Sequence, residues 1–163
     1  MRPDQSSPID AELAAFLESP VMIILGTGAD GVPEIGRGLG AMVEEGGEAL
    51  HVMVSAWQWP ETVANARAQG RIAATFARPS DYVSYQVKGL VDLVAPPTPA
   101  QHACALRYAA RIAEALAELG QLPERTAPWR SDRDLFALRI RPGQVFVQTP
   151  GSRAGSLLAG RHG

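Results

Sequence analysis

The feature that most constrains this chain is a series of short apolar segments joined by tight turns. Residues 21–25 form an apolar run of strand length, and Asp30-Gly31 favours a two-residue hairpin turn after it. Residues 32–40 are predicted to return as a second strand, and residues 49–55 form another after a turn at Gly46-Gly47. Parallel neighbours need a long crossover connection, and these segments leave no room for one. The sequence therefore predicts an antiparallel sheet.

Three helices are predicted around these strands. The first begins after Ser7-Pro8, where a capping serine precedes a proline, and ends near Ser19-Pro20. The second covers residues 61–69 and stops at Gly70, and the third covers residues 98–119. The apolar residues of the third helix recur on one face: Ala103, Leu106, Ala110, Ala113, Leu116 and Ala117.

Further strands are predicted in the second half of the chain. Residues 71–77 alternate apolar and small side chains, and residues 82–94 form a long strand with a bulge or bend at Gly89. Residues 135–140 and 145–147 are predicted to pair through a turn at Pro142-Gly143. About six strands in consecutive hairpins, with three helices, indicate a mostly β, α+β fold: an antiparallel barrel decorated by helices.

Length and charge limit the classes of function. The 163 residues suit a single domain, which we place at residues 8–150 between tails at residues 1–7 and 151–163. A content of 46% hydrophobic and 20% charged residues is typical of a globular protein. Since the net charge is −2, a nucleic-acid partner or an electrostatic membrane partner is not expected.

The expected location is the cytoplasm. A single cysteine, Cys104, gives no disulfide framework, and no apolar run reaches the ~18 residues of a membrane span. The first seven residues are polar and do not resemble a signal peptide. No metal is expected either, because His51, His102 and His162 have no spacing typical of metal ligands.

A glycine motif at residues 26–31 matches the G-x-G-x-x-G pattern of dinucleotide-binding proteins. That motif binds a pyrophosphate because a helix N-terminus follows it. Here the following residues, 32–38, are strand-like and interrupted by glycines, so we interpret the three glycines as part of a hairpin.

Several segments follow one another in a specific order and spacing between residues 13 and 155. They are the opening helix, residues 21–27, Asp30-Gly31-Val32-Pro33, Arg37, residues 50–55, Val63-Ala64-Asn65-Ala66-Arg67, residues 70–76 and Gln86-Val87-Lys88-Gly89. Together these segments resemble the pyridoxamine 5′-phosphate oxidase-like family of FMN-binding split barrels. Residues 148–155 are similar to the ending of some smaller members.

The resemblance implies a six-stranded split barrel that forms a homodimer, with FMN bound where the protomers meet. Arg37 lies on the strand from which the family sends an arginine to the phosphate, and Gln86 lies where a glutamine reaches the flavin ring. The remaining candidate contacts are Val54, Ser55, Trp57, Trp59, Thr62 and, from across the dimer, Arg153. An Ala/Leu helix face and a Trp-rich loop exceed what one small barrel can bury, which also favours a dimer.

The chain departs from the oxidase at three positions. Met42 stands where the oxidase has a lysine, and Glu61 and Thr62 stand where it has an Arg-Lys pair. We therefore keep two hypotheses. The first is an FMN-dependent oxidoreductase that acts on a small molecule by hydride transfer through flavin N5. The alternative is a non-catalytic binding module that holds FMN weakly, holds another ring such as haem, or holds no cofactor.

Each candidate residue also has a purely structural interpretation. Arg37 would pair with Glu34 or Glu61, and Gln86 would be a solvated strand residue. Ser55 and Thr62 would cap a helix or stabilise a loop. Trp57 and Trp59 would close one end of the barrel or lie at the dimer interface. The sequence alone leaves these alternatives open.

Overall fold

Eight strands and four helices make up most of residues 7–160, the part of the chain that the computed structural model describes. In chain order they are α1 (Ala11–Leu17), β1 (Met22–Ala29), β2 (Val32–Arg37), β3 (Ala41–Val43), β4 (Leu50–Ser55), α2 (Pro60–Ala68), β5 (Arg71–Ala77), β6 (Ser84–Ala95), α3 (Pro99–Glu118), α4 (Pro123–Thr126), β7 (Leu135–Val147) and β8 (Leu157–Gly160).

The strands form one antiparallel sheet in the order β2-β1-β5-β6-β7-β4-β3, and β8 pairs with β7. The sheet is not closed into a continuous barrel, and the short segment between β2 and β3 connects its two halves. In that segment, the Gly38 N–H donates to the Ile23 carbonyl (3.0 Å) and the Leu39 N–H to the Met53 carbonyl (2.7 Å). The mostly β split-barrel prediction is confirmed, but the prediction of six strands was too low.

The core lies on the inner face of this curved sheet. Leu25, Ala74, Val87 and Val145 stand directly opposite one another on β1, β5, β6 and β7, and each is fully buried. Because side chains alternate along a strand, this row fixes which residues face outward. Helix α2 packs on the inner side, where the Asn65 amide donates to the Thr27 hydroxyl (3.2 Å).

The late strands differ from the sequence prediction. Pro142 and Gly143 do not form a turn between two paired strands but lie inside the single strand β7. Pro142 is opposite Gly89 on β6, where the register shifts by a bulge. A Cβ on Gly89 would lie 2.2 Å from the Arg141 carbonyl oxygen. A glycine on β6 thus allows β7 to continue through its proline.

The structure also corrects the predictions for both ends of the described chain. Helix α1 is capped by Asp10 rather than Ser7, because the Asp10 carboxylate accepts from the Leu13 N–H (2.8 Å). Residues 157–160 are not a free tail, since they form β8 on the edge of β7. The predicted tail residues 1–6 and 161–163 lie outside the described residues. No helix within residues 7–160 is long and apolar enough to cross a membrane.

Candidate functional site

The outer face of the sheet aligns two of the candidate cofactor residues in one lateral row. Strand register places Arg37 opposite Ile24, Ile24 opposite Thr75, and Thr75 opposite Gln86. Phe146 on β7 continues the row beyond Gln86. Directly opposed residues of an antiparallel sheet share a face. Arg37 and Gln86 therefore lie on the same surface, three strands apart, although 49 positions separate them in the sequence. We call this set of five residues the outer row.

A second row runs beside it on the same face. It consists of Ile35, Gly26, Ala73, Lys88 and Gln144. Small residues in the middle of this row leave a shallow cavity of about 790 Å³, which Arg71 and Lys88 also line. The Lys88 ammonium lies 4.8 Å from the centre of the Phe146 ring, so the lysine rests on the outer row.

Arg37 at the end of β2 is the most unusual side chain of the outer row. Its guanidinium carbon lies 4.7 Å from the centre of the Trp129 ring, and it pairs with neither Glu34 nor Glu61. Its Nη1 atom is buried and has no hydrogen-bond partner among the described residues. A buried donor without a partner is costly, and an anionic oxygen would satisfy it.

Tyr108 on α3 lies close enough to Arg37 for the two side chains to interact electrostatically. Its hydroxyl donates to the Val21 carbonyl (2.8 Å) and is almost fully buried. Burial raises the pKa of Tyr108 well above its usual value, and the positive charge of Arg37 only partly opposes that rise. Tyr108 therefore stays neutral and does not supply a counter-charge for Arg37.

Gln86 is held in place by a neighbour in the outer row. Its side-chain amide donates to the Thr75 hydroxyl (3.0 Å), and both residues are half-buried. The sequence analysis did not identify Thr75, because a single polar residue in a strand gives no signal of which residue it faces on the neighbouring strand. The pair presents a fixed polar group at the centre of the outer face.

Ser55 and Val54 at the end of β4 do not reach the outer row. The Ser55 hydroxyl donates to the Arg133 carbonyl (2.6 Å) and accepts from the Gln58 N–H (3.3 Å). Val54 is fully buried opposite Phe136. Both residues hold β4 and the following loop against the segment before β7.

Thr62 faces the interior. It is fully buried, and its hydroxyl has no hydrogen-bond partner among the described residues. A Cβ added to Gly36 would lie 2.2 Å from the Thr62 hydroxyl oxygen. Since Gly36 precedes Arg37 on β2, Thr62 packs on the opposite face of that strand from Arg37. The neighbouring Glu61 is exposed.

The Trp57-Gln58-Trp59 loop supports the region around Arg37. The Gln58 side-chain amide donates to the Pro128 carbonyl, and its oxygen accepts from the Ser131 N–H (3.2 Å). These contacts fix the segment that carries Trp129, the ring beside Arg37. Trp59 packs against the core, whereas Trp57 is 53% exposed with the Arg133 guanidinium 4.9 Å from its ring centre. The sequence analysis did not identify the anchoring role of Gln58.

The remaining candidate, Arg153, lies in the connection between β7 and β8. It is exposed and borders a cavity of about 410 Å³ that Tyr85 and Leu158 also line. Met42 lies on β3 opposite His51. In the described protomer, neither residue belongs to the outer row.

The similarity of this chain to known proteins lies in its fold. No family model and no curated protein sequence matches the chain. Among solved structures, the chain is similar to an F420 reductase, with 21% identity and a TM-score of 0.53, over 84% of this chain and 98% of that one. It is similar to HupZ of Group A Streptococcus, with 15% identity and a TM-score of 0.55, over 90% of this chain and 99% of that one.

A third similar structure is from Lactobacillus delbrueckii and is named as a candidate pyridoxamine 5′-phosphate oxidase. Its identity is 13% and its TM-score 0.52, over 85% of this chain and 93% of that one. At these identities the likeness concerns the fold alone. The chain therefore has the pyridoxamine 5′-phosphate oxidase-like split-barrel fold.

Proposed function

We propose that the protein is a flavin-binding oxidoreductase that holds FMN on its outer sheet face. The observation that carries this proposal is the buried Nη1 atom of Arg37, which has no hydrogen-bond partner in the described part of the chain and lies in the same row as the Gln86 amide. Three strand spacings separate their backbones by about 14 Å. That span suits an elongated ligand with an anionic group at one end and a ring with polar edges at the other.

In this proposal Arg37 binds the phosphate, and Gln86, held by Thr75, meets the polar edge of the flavin ring. Bound FMN would supply hydride transfer, and the protein would orient it and exclude water. Ser55, Trp59 and Thr62 would act as supports, because their side chains are engaged with the loop or the core. Trp57 on the surface and Arg153 of a second protomer are the further candidate contacts.

The same face would also form the homodimer. The outer row and the row beside it expose Ile24 (36%) and Ile35 (60%) around small residues. A sheet face of this kind is typically covered by another layer. A second protomer on this face would enclose the flavin between two sheets. The substrate is then a small molecule that reaches the flavin from the cavity beside Lys88.

One observation favours the non-catalytic alternative. Arg37 is the only guanidinium in the outer row, and Glu61 adds a negative charge to the exposed start of α2. A site with one cation would bind a dianionic phosphate less tightly than one with several. A non-catalytic module would bind FMN weakly on the same outer face and would catalyse no reaction.

The test separates binding from catalysis. Protein purified without added flavin is scanned for visible flavin absorbance, and the stripped protein is titrated with FMN and riboflavin by fluorescence. Tight FMN binding, with reduction of the bound flavin by NADH or NADPH, supports the oxidoreductase. Binding without reduction supports the module, and absence of flavin binding contradicts both forms of the flavin proposal.

A further inference from the structure

Helix α3 presents an apolar strip to solvent. The strip consists of Ala103, Leu106, Ala110, Ala113 and Ala117; all are exposed except Ala113, which is half-buried. The opposite side of the helix packs into the core through Ala105, Tyr108, Ile112 and Leu116. Thus α3 does not need the strip in order to pack on its own protomer. The strip residues recur at spacings of three and four, which is typical of a seam between two helices.

The charges beside the strip are segregated along the helix. Along α3, the basic residues Arg107 and Arg111 come before the acidic residues Glu114 and Glu118. All four are exposed, and none forms a salt bridge within the described residues. Arg107 with Arg111, and Glu114 with Glu118, are like-charge pairs at i, i+4, which destabilise an isolated helix. Glu118 also lies in the last turn, where the helix dipole favours basic residues. The stability of the isolated helix therefore does not explain this order.

We propose that α3 pairs antiparallel with α3 of a second copy of this chain. In that arrangement, Arg107 and Arg111 of each helix face Glu118 and Glu114 of the other. The two-fold axis then lies between Arg111 and Glu114 and makes the two sets of contacts equivalent, as a self-complementary interface requires. A parallel arrangement would instead place like charges together. The alanines of the strip let the two helices approach closely, and Leu106 supplies the largest apolar contact.

This surface is distinct from the outer sheet face and does not depend on flavin. One helix of 20 residues is about 30 Å long, so a single seam belongs among small interfaces, below about 1,200 Å². We therefore expect a weak, concentration-dependent association. Because exposed charges flank the seam, moderate salt should weaken it by roughly tenfold.

Charge reversal tests the pairing by sedimentation at several protein concentrations. The acidic variant Arg107→Glu/Arg111→Glu and the basic variant Glu114→Arg/Glu118→Arg should each lose the association step, with the dissociation constant raised at least roughly tenfold. An equimolar mixture of the two variants should regain it, because unlike helices then meet. Arg125→Glu on exposed α4 is the matched control and should associate as the wild type does.

The outcomes also separate this proposal from the flavin site. If the sheet-face dimer exists, the variants convert a tetramer to a dimer; otherwise they convert a dimer to a monomer. Flavin affinity should be unchanged in either case. The proposal is overturned if the wild type has no association step, if the charge variants associate as it does, or if mixing them restores nothing. Should either double variant fail to fold in a thermal melt, Leu106→Glu replaces it and must abolish the step.

Discussion

At the residue scale, the proposed phosphate site depends on Arg37. Its guanidinium rests against Trp129, and its Nη1 atom has no hydrogen-bond partner within residues 7–160. The side chain is therefore held in position while this donor remains open to an anion. No carboxylate needs to leave before an anion binds. This separates Arg37 from Arg78 and Arg139, which form salt bridges to acidic residues.

Replacing Arg37 should therefore affect FMN more than riboflavin, which lacks the phosphate. We expect Arg37→Ala to weaken FMN roughly ten- to a hundredfold, and Arg37→Lys to recover only part of the loss because it lacks the planar fork. Fluorescence titration measures both ligands, and Arg125→Ala is the control. Equal losses for FMN and riboflavin would show that Arg37 shapes the fold instead.

A second test at the residue scale concerns the close contact between Gly36 and Thr62 inside the barrel. Gly36→Ala would bring a methyl group to 2.2 Å from the Thr62 hydroxyl and should destabilise the protein by about 1–3 kcal/mol. Thr62→Ala removes the hydroxyl that lies closest and leaves only the Thr62 Cβ at 3.0 Å, so the double variant should lose less stability than the two single changes added together. Denaturant unfolding of the four proteins measures the coupling. Strict additivity would contradict the close contact.

At the element scale, Glu44 connects the β3–β4 turn to β7. Its carboxylate accepts from Arg139 (2.9 and 3.2 Å) and contacts the His51 ring (2.8 Å), while Arg139 also donates to Asp92 (2.7 Å). The Arg139 hydrogen bonds, then that of His51, lower the pKa of Glu44 from 4.5 to about 2. The carboxylate is thus ionised in the folded state at a pH where it is protonated in the unfolded chain.

A carboxyl group whose pKa is lower in the folded state than in the unfolded chain stabilises the fold at any pH above the unfolded-state pKa. That stability is lost as the pH falls through the folded-state pKa. The Glu44 contribution should be full at neutral pH and should disappear between pH 4.5 and about 2. Since the side chain is 36% exposed, the contribution should be at most about 1 kcal/mol. Unfolding of Glu44→Gln and wild type across this range measures it, with Glu124→Gln as control. A difference that does not depend on pH would contradict the assignment.

At the scale of the whole molecule, the proposed homodimer depends on the outer sheet face. Ile35 is 60% exposed, so Ile35→Glu removes little burial from the single protomer. It should leave the melting temperature nearly unchanged while abolishing the proposed sheet-face dimer and weakening FMN. Light scattering and flavin titration measure the two effects. Tyr82→Glu, which changes a 69% exposed side chain in the β5–β6 turn, should change neither. A dimer that survives Ile35→Glu in the Arg107→Glu/Arg111→Glu background, in which α3 cannot pair, would contradict the sheet-face interface.

Signals between residues close in sequence determined much of the fold. Asp30 and Gly31 adopt the positive φ angles of a hairpin turn (51° and 78°), as the dipeptide predicted. Strand β5 occupies the predicted residues 71–77, and α3 begins at a capping box formed by Thr98 and Gln101. Each of these features depends on side chains within a few positions of one another. The antiparallel class followed because the early strands lacked room for crossover helices.

The arrangement of the outer face was decided only by the tertiary structure. Whether Arg37 and Gln86 share a row depends on the register of β2, β1, β5 and β6, which hydrogen bonds and core packing set together. The ring beside Arg37 comes from Trp129, 92 positions away. The inward position of Thr62 likewise follows from its packing against Gly36. Local patterns identify the strands and their turns, whereas the neighbours of a side chain depend on contacts between segments that are distant in the sequence.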